Sequence, residues 1–378
     1  MAIPKLALIP SGVKAGKLYS VLPTNGDGDF TTTRNTVATR VNENGLIEEV
    51  ASNVPRLDYS DGGCPSLLLE PASTNLITQS EDFDSSEWGF FTGATLGSSF
   101  VVSPEGYNNA TTLNFGSGSE SLIFFDYSSG SATFTISVYA RSSTSKKFCF
   151  RSWNGSTAER SSDFTTTTEW KRFEFTFTSA VLNFGICNES SGVSGSIEIY
   201  GAQAEQNSYA TSYIKTVGTS QTRSAETANG AGDASTFNDS EGVLMLESSF
   251  LSSSLSTSVI AISDGTSSNR IILGYIGTNN DFYCQSIGGA SAPSSIVFSV
   301  NDITLNNKML IKYKANDFAL WVNGFEVGTR TSGTTPSNLN NLSFSSGTGS
   351  SILHGNTKQL QYFDSALNDS ELEKLTSW

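Results

Sequence analysis

The sequence predicts an all-β protein: two β-sandwich or jelly-roll domains in series behind a small N-terminal region. Three observations predict it. Runs rich in Phe, Tyr, Val and Ile are separated by Ser, Gly and Asn clusters, the pattern of half-buried strands broken by turns. Charged residues make up only 15% of the chain and aromatic residues 11%, with 24 Phe and 12 Tyr, so there is apolar material for packed cores. A length of 378 residues leaves room for two or three domains of ordinary size.

Residues 1–72 hold short apolar pieces, Leu6 to Ile9, Leu18 to Leu22 and Val37 to Val41, between loops. The group NGDGDF places Asp27 and Asp29 in a Gly-rich loop. Carboxylates at alternate positions suit a hard cation such as calcium, but the downstream bidentate Glu of a calcium loop is missing. A turn with solvated carboxylates is the plainer expectation, and no cofactor is expected. Asn44-Gly45 between TRV and LIEEV is the signal of a two-residue hairpin. From Asn53 to Ile77 the chain carries Pro55, Pro65 and Pro71, a Gly-Gly pair and the run Leu67-Leu68-Leu69. Proline fixes φ and lacks a donor, so this stretch is expected to be an extended connector that docks its leucines on a neighbour, not a helix or a central strand.

Residues 73–218 read as the first sandwich, with strands expected at Ser119–Tyr127, Ala132–Ala140, Lys147–Trp153, Lys171–Ser179 and Gly195–Tyr200. In ATFTISVYA, Phe134, Ile136 and Val138 alternate with Thr133, Thr135 and Ser137; in KRFEFTFTS, Phe173, Phe175 and Phe177 do the same. Residues 219–240 are polar and aperiodic, a linker or an extended strap. Residues 241–378 read as the second sandwich. Met309, Ile311 and Tyr313 alternate, then Phe318, Leu320 and Val322, and Asn323-Gly324 supplies a type I′ turn before Phe325. The chain closes on a short helix with Asn368 as N-cap, Glu371 completing a capping box, and Leu367 stapled to Leu372.

The net charge of −14 would repel a phosphate backbone, so nucleic-acid binding is not expected. The N-terminus has prolines at 4 and 10 inside its apolar stretch, and no window approaches the roughly 18–20 apolar residues of a membrane span. Folding in a cytoplasm is expected, without membrane insertion. Cys64, Cys149, Cys187 and Cys284 are widely spaced, with no CxxC; three of them sit in apolar contexts, and a Cys149–Cys187 disulfide is not expected.

Catalytic chemistry is poorly provided for. The single histidine, His354, has no G-x-S-x-G elbow to accompany it. EDFDSSEW offers Asp82, Asp84 and Glu87, but a hydrolytic pair needs two carboxylates facing one cleft, and Asp stands where an E-x-D-x-x-E motif has its first Glu. Sugar binding fits better, because sugar rings have apolar C–H faces and polar edges, matched by an exposed aromatic beside amide or carboxylate groups. Trp153 with Asn154, and Trp321 with Asn323, are the candidates; Trp321 has the opposite parity to Phe318, Leu320 and Val322. Trp88 and Trp170 are expected in the core.

The runs RNTVATRVNENGLIEEVASNVPRLDY, GGCPSLLLEPASTNLI and SEDF with Trp88, together with IYGAQAEQNSYATSYI (199–214) and the stretch from Lys308 to Trp378, resemble tailed-phage virion surface proteins of the tail-fibre and head-fibre type. That resemblance implies a carbohydrate-binding-module-like jelly roll for 73–218, opening on a strand with Phe83 and Trp88 packed, and a laminin-G/concanavalin-like sandwich for 241–378. It implies that residues 1–72 attach the protein to other virion proteins or pair subunits, that copies associate as homotrimers, and that the modules bind host-surface glycans on the virion surface without being an enzyme. A purely structural decoration protein and a polysaccharide depolymerase remain the alternatives.

Overall fold

The computed structural model describes residues 2–118, 120–127, 133–178, 181–255, 257–277, 279–289 and 294–378. Ser119, Ala132 and Ser179, at the ends of three expected strands, lie outside these. Among the described residues the regular structure is β-strand apart from one short helix, and the chain divides into two units, which do not follow chain order. One comprises Met1–Val37, Val50–Pro71 and Ser224–Trp378; the other comprises Ala38–Glu49 and Ala72–Arg223. Among the described residues no helix is long and apolar enough to cross a membrane.

The first unit is a sandwich of an eight-stranded and a five-stranded sheet. In the larger sheet the strands lie in the order Phe325–Arg330, Phe318–Val322, Asn307–Lys314, Glu241–Phe250, Gly355–Phe363, Ser66–Leu69, Arg56–Asp58, and Leu6–Leu8 also pairs with Gly355–Phe363. The smaller sheet runs Ser294–Ser299, Asp281–Gly288, Asn269–Ile276, Thr257–Ser263, Asn341–Ser343. Met309, Ile311, Tyr313, Phe318, Leu320 and Val322 all enter the core between them, as their alternation predicts. Asn323 (φ 50°) and Gly324 (φ 89°) form the expected hairpin turn.

Residues 1–72 therefore do not make a separate region. Leu6, Leu8, Leu57, Leu67 and Leu69 pack in the same core as the strands of 241–378. Ser66–Leu69 is paired on both sides, against the expectation that the proline-rich stretch holds no internal strand. The physical reason is placement: Pro55, Pro65 and Pro71 all fall just outside the strands, where no ladder donor is missed. Residues 219–240 are a strap and not a free linker, since Thr227–Asn229 pairs with Phe30–Thr33.

A buried ionic cluster ties these distant segments together. Arg34 donates to Glu226 at 2.6 Å and to the carbonyls of Thr36, Val50, Ala51 and Val54. Arg56 donates to the same carboxylate through Nε at 2.9 Å and pairs with Glu70 at 2.8 Å. Burial alone would push the Arg56 guanidinium down, but Glu226 and Glu70 more than offset it and hold it above its ordinary value.

On the outer face of the larger sheet the helix Asp369–Thr376 buries Leu372 and Leu375 against Val243, Met245, Leu310 and Phe363. Its capping box at Asn368 and Glu371 forms as expected, and Leu367 joins Leu372 in this outer cluster.

The second unit is a sandwich of two six-stranded sheets. One runs Trp88–Phe91, Leu122–Asp126, Asn183–Asn188, Lys147–Trp153, Ala158–Arg160, with Phe164–Thr165 also on Lys147–Trp153. The other runs Thr95–Leu96, Asn108–Phe115, Gly195–Glu205, Phe134–Arg141, Lys171–Phe177, with Val101–Val102 also on Asn108–Phe115. Phe134, Ile136, Val138, Phe173 and Phe177 fill the core. Thr135 and Ser137, expected to face solvent, are buried too. A polar layer covers them: Thr135 donates to the Asn207 carbonyl, Arg172 reaches Ser137, and Gln203 and Glu205 bind the returning segment at Thr211 and Ile214. The hairpin around Asn44-Gly45 forms with a longer loop than two residues, because the Asn42 side chain accepts from the backbone of Asn44 and Leu46.

Candidate functional site

Of the four residues proposed from sequence, Trp321 is buried, Trp153 is half-buried, and Asn154 and Asn323 spend their side-chain amides on neighbouring residues. Trp321 is only 7% exposed and lies in the outer cluster with Leu372 and Leu375. Its parity does point it away from the main core, but the C-terminal helix covers that face. Asn323 lines an open groove of about 470 Å³ with Phe325, Leu305 and Asn301, yet its amide donates to Asn307 at 2.8 Å and accepts from the Lys308 backbone at 2.9 Å. The Asp302 carboxylate in that groove is likewise taken up by Thr304. What the groove offers is mostly apolar surface.

Trp153 is half-buried, with the Arg151 guanidinium 5.3 Å from its ring centre. Asn154 folds its carbonyl oxygen onto the backbone of Ser156 and Thr157 and donates to the Thr157 hydroxyl at 2.8 Å. Its donors and acceptors serve the turn, the usual role of Asn there. Asp27 and Asp29 have separate partners: Asn25 for the first, and the Ser20 backbone (2.9 Å) and Lys17 (3.3 Å) for the second. Among the described residues no three His, Cys, Asp or Glu side chains gather as a metal site.

A second groove, of about 530 Å³ in the second unit, is built differently. It begins with the alternation of EDFD. Phe83 is buried, and its ring centre lies 5.0 Å from that of Trp88, whose indole donates to the Gln79 carbonyl at 2.9 Å. The two rings pack as expected, but only Trp88 is on the strand Trp88–Phe91; Phe83 lies in the turn before it. Flanking Phe83 on either side, Asp82 and Asp84 are turned out to solvent and into the groove. Glu81 is held inward, accepting from Tyr200 at 2.7 Å and Tyr213 at 2.9 Å and pairing with Lys215 at 2.9 Å. Burial, then Tyr213 and the Glu81 carboxylate, push the Tyr200 hydroxyl up, so it remains a donor. Glu87 accepts from the Thr78 hydroxyl and does not line the groove, so Asp82, Asp84 and Glu87 are not brought together as a hydrolytic set.

The far wall comes from the edge strands of the two sheets. Trp88–Phe91 pairs with Leu122–Asp126, and Thr95–Leu96 pairs with Asn108–Phe115 in the opposite sheet. Thr92 (φ 49°) and Gly93 (φ 73°) turn the chain between them. Phe90, 41% exposed, and Phe100, 67% exposed, present apolar rings to the groove beside Leu96. Among the described residues neither Asp82 nor Asp84 has an ion-pair or side-chain hydrogen-bond partner, in contrast to the polar groups of the Phe325 groove. Exposed rings beside uncommitted carboxylates are the chemistry that grips a sugar ring by its C–H face and its hydroxyls.

In the sequence Asp82 and Asp84 read only as hydrolytic carboxylates, and nothing there singles out Phe90 or Phe100. Phe90 shares parity with the buried Trp88, so alternation alone places it in the core. The strand is short and lies at the sheet edge, and the core ends before reaching it.

No protein-family model matches the chain, and no curated protein matches it. Solved structures are similar to part of it. The CBM40 of Ruminococcus gnavus IT-sialidase, bound to α2,3-sialyllactose, is 16% identical with a TM-score of 0.33, over 37% of this chain and 84% of that one. Domain 4 of the extracellular arabinanase AbnA from Geobacillus stearothermophilus, in complex with arabinotriose, is 12% identical with a TM-score of 0.33, over 40% and 73%. The CBM22-1 xylan-binding domain of Paenibacillus barcinonensis Xyn10C is 9% identical with a TM-score of 0.27, over 38% and 94%.

Proposed function

We propose that this protein is an adhesive surface component of a tailed-phage virion that holds host-surface glycans in the groove formed by Asp82, Asp84, Phe90 and Phe100. The observation that carries the binding reading is the pairing of two exposed phenylalanine rings with two exposed carboxylates in one groove. The virion setting is supported by the resemblance of the quoted runs to fibre-type surface proteins. In this reading the protein binds without catalysing, and weak contacts are multiplied by many copies, as trimers or larger arrays on one particle.

The test is retention of the purified chain on a panel of immobilised bacterial-surface and plant polysaccharides, with the Phe90→Ala/Phe100→Ala double variant beside it. Retention of the wild type with a loss of roughly 5- to 150-fold in the variant is expected, taking for each of the two rings the roughly 0.5–1.5 kcal/mol of an aromatic contact. Equal retention of both would overturn the assignment of the groove. Immunogold labelling of particles tests the setting: label on tail fibres or on the capsid supports it, and unlabelled particles overturn it.

A further inference from the structure

The geometry points to a groove that selects by charge, taking uncharged sugar residues and rejecting uronic and sialic acids. This rests on the glycan-binding reading above. Asp82 and Asp84 flank the buried Phe83, are both exposed, and line the groove together with Phe90 and Phe100. Among the described residues no Lys or Arg lines the groove. Lys215, which meets the neighbouring Glu81, is paired with that carboxylate at 2.9 Å. Two acceptors with no cation between them match pairs of neighbouring sugar hydroxyls, each O–H donating to a carboxylate oxygen while the C–H face rests on a ring. A sugar carboxylate in the same place would bring a third negative charge with no donor to receive it, and like charges in contact oppose binding. The net charge of −14 adds to the same field.

The experiment compares retention of the full chain on neutral polysaccharides (glucan, galactan, mannan) with retention on polygalacturonate and polysialic acid, at low salt and at about 0.5 M NaCl, where the screening length falls below about 5 Å. At least one neutral polymer is expected to be bound about tenfold or more tightly than either acidic one at low salt, with the gap narrowing at high salt. The Asp82→Asn/Asp84→Asn variant removes groups that hold no structural partner, so it keeps the fold; it is expected to close the gap to within about threefold. Acidic polymers bound as tightly as neutral ones, or a gap unchanged in the Asn variant, would overturn charge selection while leaving glycan binding intact. No retention on any polymer would overturn glycan binding itself, and charge selection with it.

Discussion

Replacing Glu226 with Gln tests whether one buried side chain holds three distant segments of the first unit together. Glu226 accepts from Arg34 and Arg56, while Glu70 pairs with Arg56, and all four side chains are 4% exposed or less. The change leaves two buried guanidinium groups against one carboxylate. At an effective dielectric of about 20, unit charges about 4 Å apart attract by about 4 kcal/mol. Part of that returns, because Gln keeps an oxygen acceptor facing Arg34 and no carboxylate has to be stripped of water. The remainder matches the loss of about 3–5 kcal/mol typical when one partner of a buried pair is removed. In a unit of this size, that lowers the melting temperature by roughly 6–20 °C. Calorimetry and urea titration of the full chain would measure it, with Glu87→Gln, an exposed carboxylate, as control. A loss below about 1 kcal/mol, equal to that of the control, would refute the claim that Glu226 is the keystone of the cluster.

Trp321→Ala is expected to cost about 3–5 kcal/mol of stability by opening a cavity under the C-terminal helix, with glycan retention unchanged; weakened binding with normal stability would return Trp321 to the site. Thiol labelling of the native chain is expected to give one fast-reacting cysteine, Cys64, and four after unfolding. Burial pushes the Cys284 thiol up to about 12, and the Cys149 thiol is raised by its hydrogen bond to Cys187 and by burial. A native mass two hydrogens light, with Cys149 and Cys187 both blocked after unfolding, would show those strand partners to be a disulfide.

Local patterning carried much of the architecture. Period-two alternation located the strands around Phe134–Arg141, Lys171–Phe177 and Asn307–Val322, and most of the apolar residues that alternate there fill the cores. Asn323-Gly324 specified its turn, and Asn368 with Glu371 specified the helix start, because the capping and turn geometries need those side chains within a few residues of one another. Such features depend on neighbours in the chain, so the chain alone reveals them. What pairs with what across hundreds of residues was decided by tertiary structure. Leu6–Leu8 and Ser66–Leu69 both find the Gly355–Phe363 strand, and Arg34 and Arg56 find Glu226, because an apolar strand edge or a buried charge must be satisfied by whatever the fold brings near. The candidate site belongs to the same category. Asp82, Asp84, Phe90 and Phe100 are polar and aromatic residues in any sequence window; their freedom from partners, and the end of the core before Phe90, are properties of an assembled sandwich edge that no local pattern encodes.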